Sequence, residues 1–291
     1  MYHKSGFVNI IGHPNVGKST LLNNLVGKRL SIITPKLQTT RHRIIGILNN
    51  VNYQIIFYDT PGIISYKHTL HKFMMNYVKK SLTDVDIILY MIDAKNEKIN
   101  KFIKTIKNIS TSLIVLINKI DIINSNCLET IVNTLHNYFP VCQILPISAK
   151  YKINLDLLLN KIISLLPKSK AYYPKNFFTD KNKMFFVNEI IREKILLLYK
   201  NEIPYSTNVI NENIYSNDNL IKINSIITLE KESQKIILIG HKGRSLSKLI
   251  YYSKIDLEYF FKKKIFLKFY IKILTNWRLN ELYIKKYVYP Y

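Results

Sequence analysis

The sequence predicts an α/β domain with a mixed, mostly parallel sheet, followed by a smaller α+β domain. Three observations carry this. From Phe7 to Pro167, apolar strand-like runs alternate with helical patterns, as strand–helix–strand units require. Residues 167–182 (PKSKAYYPKNFFTDKN) hold two prolines and neither a helical nor a strand period, which marks a linker. Beyond it the order changes to helix, three strand-like runs, a glycine-flanked turn, helix and strand. The expected division is therefore 1–166, a linker at 167–182, and 183–291.

In the first part the strand-like runs are Phe7–Ile11, Ile44–Leu48, Tyr53–Tyr58, Ile87–Ile92, Leu113–Ile117 and Ile144–Ile147. Several are apolar at consecutive positions, as expected of strands covered on both faces. Helical stretches fall near 18–26, 69–82, 98–109, 126–138 and 154–165. After the linker, a helix at about 183–200 places Phe186, Ile190, Ile191, Ile195 and Leu198 at helical spacing. Strand-like runs follow near 205–215, 219–230 and 234–240. The turn Gly240-His241-Lys242-Gly243 opens a helix near 244–260, and a strand at about 264–273 and a short terminal helix complete the chain.

The 291 residues, 47% of them apolar, suffice for two cores. No window approaches 18 uncharged apolar residues, so no membrane span is expected. The first strand begins near Phe7, which leaves no room for a signal or transit peptide and implies a cytoplasmic location. Two isolated cysteines, Cys127 and Cys142, build neither a disulfide framework nor a metal cluster and fit a reducing compartment. Net charge is +24. Abundant Lys, Asn, Ile and Tyr read as compositional drift, but drift does not explain where the charge sits. Residues 231–291 carry 14 Lys and Arg against 4 Asp and Glu, a net of +10 and about twice the average density of the chain. A basic C-terminal module implies a polyanionic partner, either nucleic acid or an anionic membrane surface.

The strongest motif is Gly12-His13-Pro14-Asn15-Val16-Gly17-Lys18-Ser19, followed by Thr20, between a predicted strand and a predicted helix. It fits the phosphate-binding pattern G-x-x-x-x-G-K-[ST] in its required context and makes the first domain a P-loop NTPase. Its glycines let backbone N–H groups turn toward phosphate oxygens, and the helix N-terminus favours the same anion. Lys18 supplies a point charge for the β- and γ-phosphates, and the Ser19 hydroxyl is a Mg²⁺ ligand. Three further segments, each at the C-terminal end of a strand, make the nucleotide GTP and the domain a Ras-like G domain. Asp59-Thr60-Pro61-Gly62 places a carboxylate for Mg²⁺ and the Gly62 N–H for the γ-phosphate. In Asn118-Lys119-Ile120-Asp121, Asp121 accepts from guanine N1–H and the 2-amino group, donors that adenine lacks. Asn118 and Lys119 brace that loop. In Ser148-Ala149-Lys150 the Ala149 N–H is offered to guanine O6.

The polar stretch 34–41 (TPKLQTTR) holds a threonine for Mg²⁺ that senses the γ-phosphate, Thr40 first and Thr39 as the alternative. The residue after Gly62 is Ile63, which cannot orient a water as a glutamine does. Asn15 has two readings: a loop former, or an amide ligand for a monovalent cation beside the phosphates. The residues expected to carry turnover are Lys18, Asn15, Thr40 and Gly62.

Together these residues resemble the Era family of bacterial-type GTPases. The resemblance rests on GHPNVGKSTLLN (12–23), TPKLQTTRHRIIGI (34–47), FYDTPGI (57–63), NKID (118–121) and PISAK (146–150). In the second half it rests on NEIIREKILLLYKNEIPYS (188–206) and the turn at 240–243. It implies a C-terminal KH domain of the prokaryotic type (type II), binding of small-subunit ribosomal RNA near its 3′ end, and a role in assembling the 30S-type subunit. The family is also similar to GTPases in which a phosphate-loop Asn binds K⁺, which favours the second reading of Asn15. The chain departs from expectation in its aromatic helix (Tyr251, Tyr252) and in its tail, YIKKYVYPY.

The second domain has its own physical logic. A G-x-x-G turn between helices lets backbone approach a nucleic-acid strand. Gly240, His241, Lys242, Gly243, Arg244 and Lys248 are the expected RNA contacts, with the cations near a helix N-terminus. The expected partners are GTP and GDP, small-subunit ribosomal RNA and the assembling subunit, with a peripheral contact to the inner face of the cell membrane as the alternative for the basic face. The chain is expected to act as a monomer.

Overall fold

A computed structural model describes residues 3–95, 111–217 and 219–290. The helix expected at 98–109 lies outside the described residues. The chain divides into two compact units. The first comprises 1–31, 40–65 and 74–180, and the second comprises 32–39, 66–73 and 181–291.

The first unit is built on a six-stranded sheet in the order β2-β3-β1-β4-β5-β6. The strands are β1 (Lys4–Gly12), β2 (Ile44–Asn49), β3 (Tyr53–Asp59), β4 (Ile87–Asp93), β5 (Ser112–Asn118) and β6 (Gln143–Ile147). All neighbouring pairs are parallel except β2 against β3. Helices α1 (Lys18–Val26), α2 (Thr69–Lys80, of which 69–73 count with the second unit), α3 (Ser125–Tyr138) and α4 (Leu155–Leu165) connect or flank them. The continuous apolar runs are central strands: Val8, Ile10, Ile11, Leu89, Val115 and Leu116 are fully buried. Gly46 of β2 is fixed by packing, since a Cβ there would lie 2.7 Å from Leu22 and 3.0 Å from Val26 on α1.

The stretch 167–180 is bound along this unit. Buried Gln54 accepts from the N–H groups of Tyr172 (2.8 Å) and Tyr173 (2.9 Å) and donates to Tyr173 O (2.7 Å). The Ile47 N–H on edge strand β2 donates to Phe178 O at 2.9 Å, so the segment occupies a hydrogen-bonding edge otherwise open to other chains.

The second unit holds α5 (Lys183–Leu198), a short α6 (Ile203–Ser206), β7 (Asn208–Ser216), β8 (Leu220–Leu229), α7 (Glu232–Ile239), α8 (Arg244–Phe261) and β9 (Lys264–Ile273). A terminal turn of helix follows, α9 (Glu281–Tyr283), running on to Val288. The sheet order is β7-β8-β9, antiparallel then parallel. Ile191 and Ile195 of α5, Ile223 and Ile227 of β8, Leu238 of α7 and Leu249 and Leu257 of α8 form its core.

One expectation fails here. The run at 234–240 is helix α7, not a strand. Its four consecutive apolar residues fit either period, so periodicity could not separate the two. The end of β8 decides it: Gln234 Oε1 accepts from the N–H groups of Glu230 (2.9 Å) and Lys231 (3.2 Å), capping a helix start. Burial then follows one helical stripe, with Leu238 inside and Ile236 and Ile237 exposed.

Two segments that precede the linker in sequence belong to this second unit. The Ile33 N–H donates to Glu193 Oε1 (3.2 Å), Arg192 donates to Thr39 O, and Lys36 to Tyr199 O. In the other segment Leu70 N–H donates to Arg278 O (3.1 Å), and Phe73 stacks on Tyr289 at 5.8 Å.

Candidate nucleotide site and nucleic-acid turn

The loop 12–17 joins β1 to α1 and holds three residues at positive φ: Gly12 (153°), Asn15 (66°) and Gly17 (103°). The two glycines are required twice over. A Cβ on Gly12 would lie 2.2 Å from Met91 O, and one on Gly17 would lie 2.4 Å from Asn118 Nδ2. Asn15 is exposed at the apex, in the left-handed conformation that Asn tolerates. His13 and Pro14 are half-buried and Val16 is buried beneath the loop. Lys18 is buried, its ammonium donating to His13 O (2.8 Å) and Gly12 O (3.2 Å). Burial lowers its pKa to about 8, with the Asp59 carboxylate opposing the shift.

Beside Lys18 three oxygens converge. Ser19 Oγ donates to Asp59 Oδ2 (2.7 Å) and lies 2.9 Å from Thr40 Oγ1. Asp59 is fully buried, and its Oδ1 has no hydrogen-bond partner. Burial raises the Asp59 pKa, against the pull of the Ser19 hydroxyl and the Lys18 charge. A buried carboxylate with an orphaned oxygen beside two hydroxyls is a hard, oxygen-only donor set that fits Mg²⁺. Of the two candidate threonines, Thr40 sits at this cluster. Thr39 turns away, with its hydroxyl 2.7 Å from both Thr34 Oγ1 and Lys36 O. Thr20 follows Ser19 on the first turn of α1.

Thr60 Oγ1 donates to Ile10 O (2.9 Å), tying the end of β3 to β1. Pro61 and Gly62 are buried. A Cβ on Gly62 would lie 2.6 Å from Pro14 N, and the Ile63 N–H donates to Gly12 O (3.1 Å). The segment is thereby pressed against the phosphate-binding loop.

Asn118 staples the base-binding loops together. Its Nδ2 donates to Val16 O (2.7 Å), and its Oδ1 accepts from the Ala149 N–H (2.8 Å). The second bond places the Ala149 N–H, offered by the sequence to guanine O6, at the Asn118 side chain. Asp121 is exposed, and one of its oxygens accepts from Ser148 Oγ at 2.6 Å. Lys119, at φ 69°, pairs with Asp93 at 2.6 Å. Lys150 is exposed, its ammonium 4.8 Å over the Tyr151 ring. Asp93 escaped sequence reading, although its place one residue beyond the run Ile87–Ile92 was a usable signal. Glu189, Arg192 and Glu193 escaped it too. They are buried, and Arg192 forms a two-pronged pair with Glu189 (2.8 and 2.6 Å) while reaching Thr39 O.

In the second unit the G-x-x-G turn lies between α7 and α8. Gly240 (φ 70°), Lys242 (49°) and Gly243 (76°) all have positive φ; Lys242 and Gly243 are left-handed, whereas Gly240, with ψ 176°, lies in the extended positive-φ region open essentially to glycine alone. A Cβ on Gly240 would strike Ser245 Oγ at 2.3 Å, whereas one on Gly243 would meet open space. His241, Lys242, Arg244 and Lys248 are exposed around the turn, at the N-terminal end of α8.

Comparison with known proteins agrees with this geometry. Residues 7–119 match the family model described as a 50S ribosome-binding GTPase, and residues 202–278 match a KH domain. The chain is 41% identical to a chloroplastic ERA-like GTPase of Oryza sativa subsp. japonica, over 99% of this chain and 70% of that one. It is 40% identical to the GTPase Era of Syntrophus aciditrophicus, over 98% and 95%. A crystal structure of Era with MgGDPNP and nucleotides 1506–1542 of 16S ribosomal RNA superposes with TM-score 0.94, at 36% identity and 99% coverage of each chain. A variant of Aquifex aeolicus Era bound to GDP·AlF4⁻ does so with TM-score 0.94 at 36% identity, covering 98% of this chain and 99% of that one. With two such relatives matched over nearly its whole length, and with the phosphate loop and the G-x-x-G turn both formed, this chain belongs to the Era family of GTPases.

Proposed function

We propose that this chain binds and hydrolyses GTP with Mg²⁺ and binds small-subunit ribosomal RNA near its 3′ end, acting in assembly of the small ribosomal subunit. The convergence of Ser19, Thr40 and Asp59 beside Lys18 is the observation that carries the first half. The RNA half is supported by the exposed cationic turn and by the relative bound to 16S ribosomal RNA. Residues 1–166 serve the nucleotide, 167–182 link, and 183–291 serve the RNA.

Ser19, Thr40 and Asp59 would hold Mg²⁺, which supplies positive charge to the β- and γ-phosphate oxygens. Lys18 leaves its two loop carbonyls to pair with the same phosphates. Gly62 brings its N–H to the γ-phosphate, and Asp121 reads guanine with Asn118, Lys119 and Ser148 holding the loops. Ile63 offers nothing to the attacking water. Asn15, exposed at the loop apex, takes K⁺ through its amide oxygen and so adds positive charge beside the phosphates. Turnover that is much faster in K⁺ than in Na⁺, and insensitive to that exchange in Asn15→Ala, is the expected result. Equal rates in both salts remove K⁺ from this reading.

The same ligands link the two activities. Thr40 faces Ser19, while the carbonyl of its neighbour Thr39 is held by Arg192 of α5. Binding GTP with Mg²⁺ orders this stretch and changes RNA affinity. Equal RNA affinity with GDP and with a non-hydrolysable GTP analogue would refute the link. The chain acts as a monomer in the cytoplasm. Among the described residues no helix is long and apolar enough to cross a membrane. Crosslinking to total RNA followed by mapping tests the target: enrichment at the 3′ end of small-subunit ribosomal RNA is expected, and a uniform distribution overturns it.

A further inference from the structure

The sheet of the second unit has two faces. Positions 221, 223, 225, 227 and 229 of β8 are buried, and Ile265 and Leu267 of β9 join the core with the helices. The alternate positions point the other way. On β9 these read Lys264, Phe266, Lys268, Tyr270 and Lys272, all exposed. Strand register aligns them with their neighbours. Tyr215 pairs with Lys222 and Lys222 with Phe266, giving an aromatic–lysine–aromatic row across three strands. The next row is Asn213, Asn224 and Lys268, and Ile226 lies beside Tyr270 in the row after it.

This face is unlike an ordinary solvated one. Tyr215, Phe266 and Tyr270 remain 59%, 54% and 41% exposed, although aromatic rings gain most from burial. Among the described residues the outward positions of β8 and β9 carry no carboxylate. Glu212 lies at the bulge between Asn211 and Asn213 on β7. The Lys268 ammonium sits 4.9 Å over the Tyr270 ring. One end is closed by Tyr283, whose hydroxyl donates to Thr228 Oγ1 (2.8 Å) and accepts from Asn208 Nδ2 (3.3 Å). The open rows lie toward the β7–β8 hairpin.

We propose that this outward sheet face is a second RNA-contact surface, on which unpaired nucleotides stack on Tyr215, Phe266 and Tyr270 while Lys222, Lys264 and Lys268 meet their phosphates. It rests on the reading of the chain as an RNA binder and is distinct from the G-x-x-G turn, which belongs to the helices on the other face. Flat sheets that present aromatics take bases by stacking, and every base has a face to offer. Phe266 and Tyr270 are four residues apart on one strand, roughly 13 Å. That separation suits successive splayed bases with lysine between them. Charge complementarity selects a polyanion, and the amides Asn213 and Asn224 between the rings suit base edges better than lipid.

The test uses the full chain and labelled single-stranded RNAs from the 3′ end of small-subunit ribosomal RNA, of about 6 and about 24 nucleotides. The double variant Phe266→Ala/Tyr270→Ala should bind the long RNA about 10-fold or more weakly and the short one unchanged. Lys242→Ala/Arg244→Ala should weaken both. Lys264→Gln/Lys268→Gln should flatten the salt dependence for the long RNA only. Unchanged binding of the long RNA by the aromatic variant overturns the proposal. So does an equal loss on both RNAs together with a lowered melting temperature. So does loss of binding to phosphatidylglycerol vesicles with RNA binding intact. Failure of the unsubstituted chain to bind either RNA sinks the RNA reading itself, an outcome distinct from these.

Discussion

The phosphate-binding loop and the G-x-x-G turn solve a similar problem in opposite ways. Both turn glycine backbone through the left-handed region at the start of a helix. In the first, both glycines meet filled space and the lysine is enclosed: Gly12 faces Met91 O, Gly17 faces Asn118, and Lys18 is buried. In the second, Gly243 faces open space and Lys242 is exposed. A filled site holds one geometry and suits one small ligand whose phosphates always present alike. An open turn suits a strand that arrives in many sequences and lets charge do more of the work than shape. Substitutions should therefore do most harm in the first and least in the second.

The largest effect is expected at Lys18. Lys18→Met should lower GTP turnover by about 100-fold or more, since it removes the charge aimed at the transferring phosphate. The same change should stabilise the nucleotide-free protein, because the folded state carries the cost of burying an ammonium. The sign follows from the shift. With a folded pKa of about 8 against 10.5, the unfolded chain binds more protons between those values. Stability of the parent protein should then rise with pH across that window, and Lys18→Met should lose this rise. Denaturant melts at pH 7.5 and about 9.5 check it. The same pH dependence in the parent protein and in Lys18→Met would show that Lys18 is solvated in solution.

Next comes base selection. Asp121→Asn should weaken GTP by about 100-fold and favour xanthosine triphosphate, whose 2-oxo group accepts where guanine donates. Asp121 is exposed and shares one oxygen with Ser148, so under the proposed reading the discrimination would be made as the base covers the carboxylate. Competition binding with both nucleotides measures it, and an unchanged preference for GTP would transfer base reading to another group.

A smaller effect is expected at Arg192, which lies outside the nucleotide motifs. It grips Glu189 with two bonds and holds Thr39 O, one residue from the hydroxyl at Ser19. Arg192→Ala should lower kcat about 10-fold and raise the Mg²⁺ concentration needed for half-maximal rate, with GDP affinity little changed. Arg192→Lys should rescue poorly, because a lysine cannot make the forked pair. If the Mg²⁺ dependence stays fixed while melting temperature falls, Arg192 only supports the fold.

How much of this was legible in the sequence depended on whether function was carried by local pattern or by long-range contact. The strands of the first unit were readable because continuous apolar runs end at glycine, asparagine or acidic residues that carry the chemistry. Asn118 was readable as a brace, but its grip on Val16 O and the Ala149 N–H required three loops to be seen together. Arg192 and Glu193 looked like polar positions of an amphipathic helix. Residues 32–39 bond to both, a contact between segments some 150 to 160 positions apart. Helix α7 was hidden by IILI, which satisfies both periods, and was decided by the Gln234 cap.

The smallest effects should come from the open turn, and their inequality is the sharpest test of the comparison. Gly240→Ala must push against Ser245 at 2.3 Å while Gly243→Ala meets nothing, yet both adopt a positive φ. Gly243→Ala should cost only the left-handed penalty of about 1 kcal/mol and lower RNA affinity a few-fold at most. Gly240→Ala should cost more, because Ser245 and the start of α8 must shift. Lys242→Ala should weaken RNA binding uniformly across sequences and reduce the salt slope by about 1. Thermal melts and salt-dependent RNA titrations of the three variants give the ranking. If Gly243→Ala proves as damaging as Gly17→Ala is to GTP binding, then RNA fills the space beside Gly243 as tightly as Asn118 fills that beside Gly17, and the turn reads shape as well as charge.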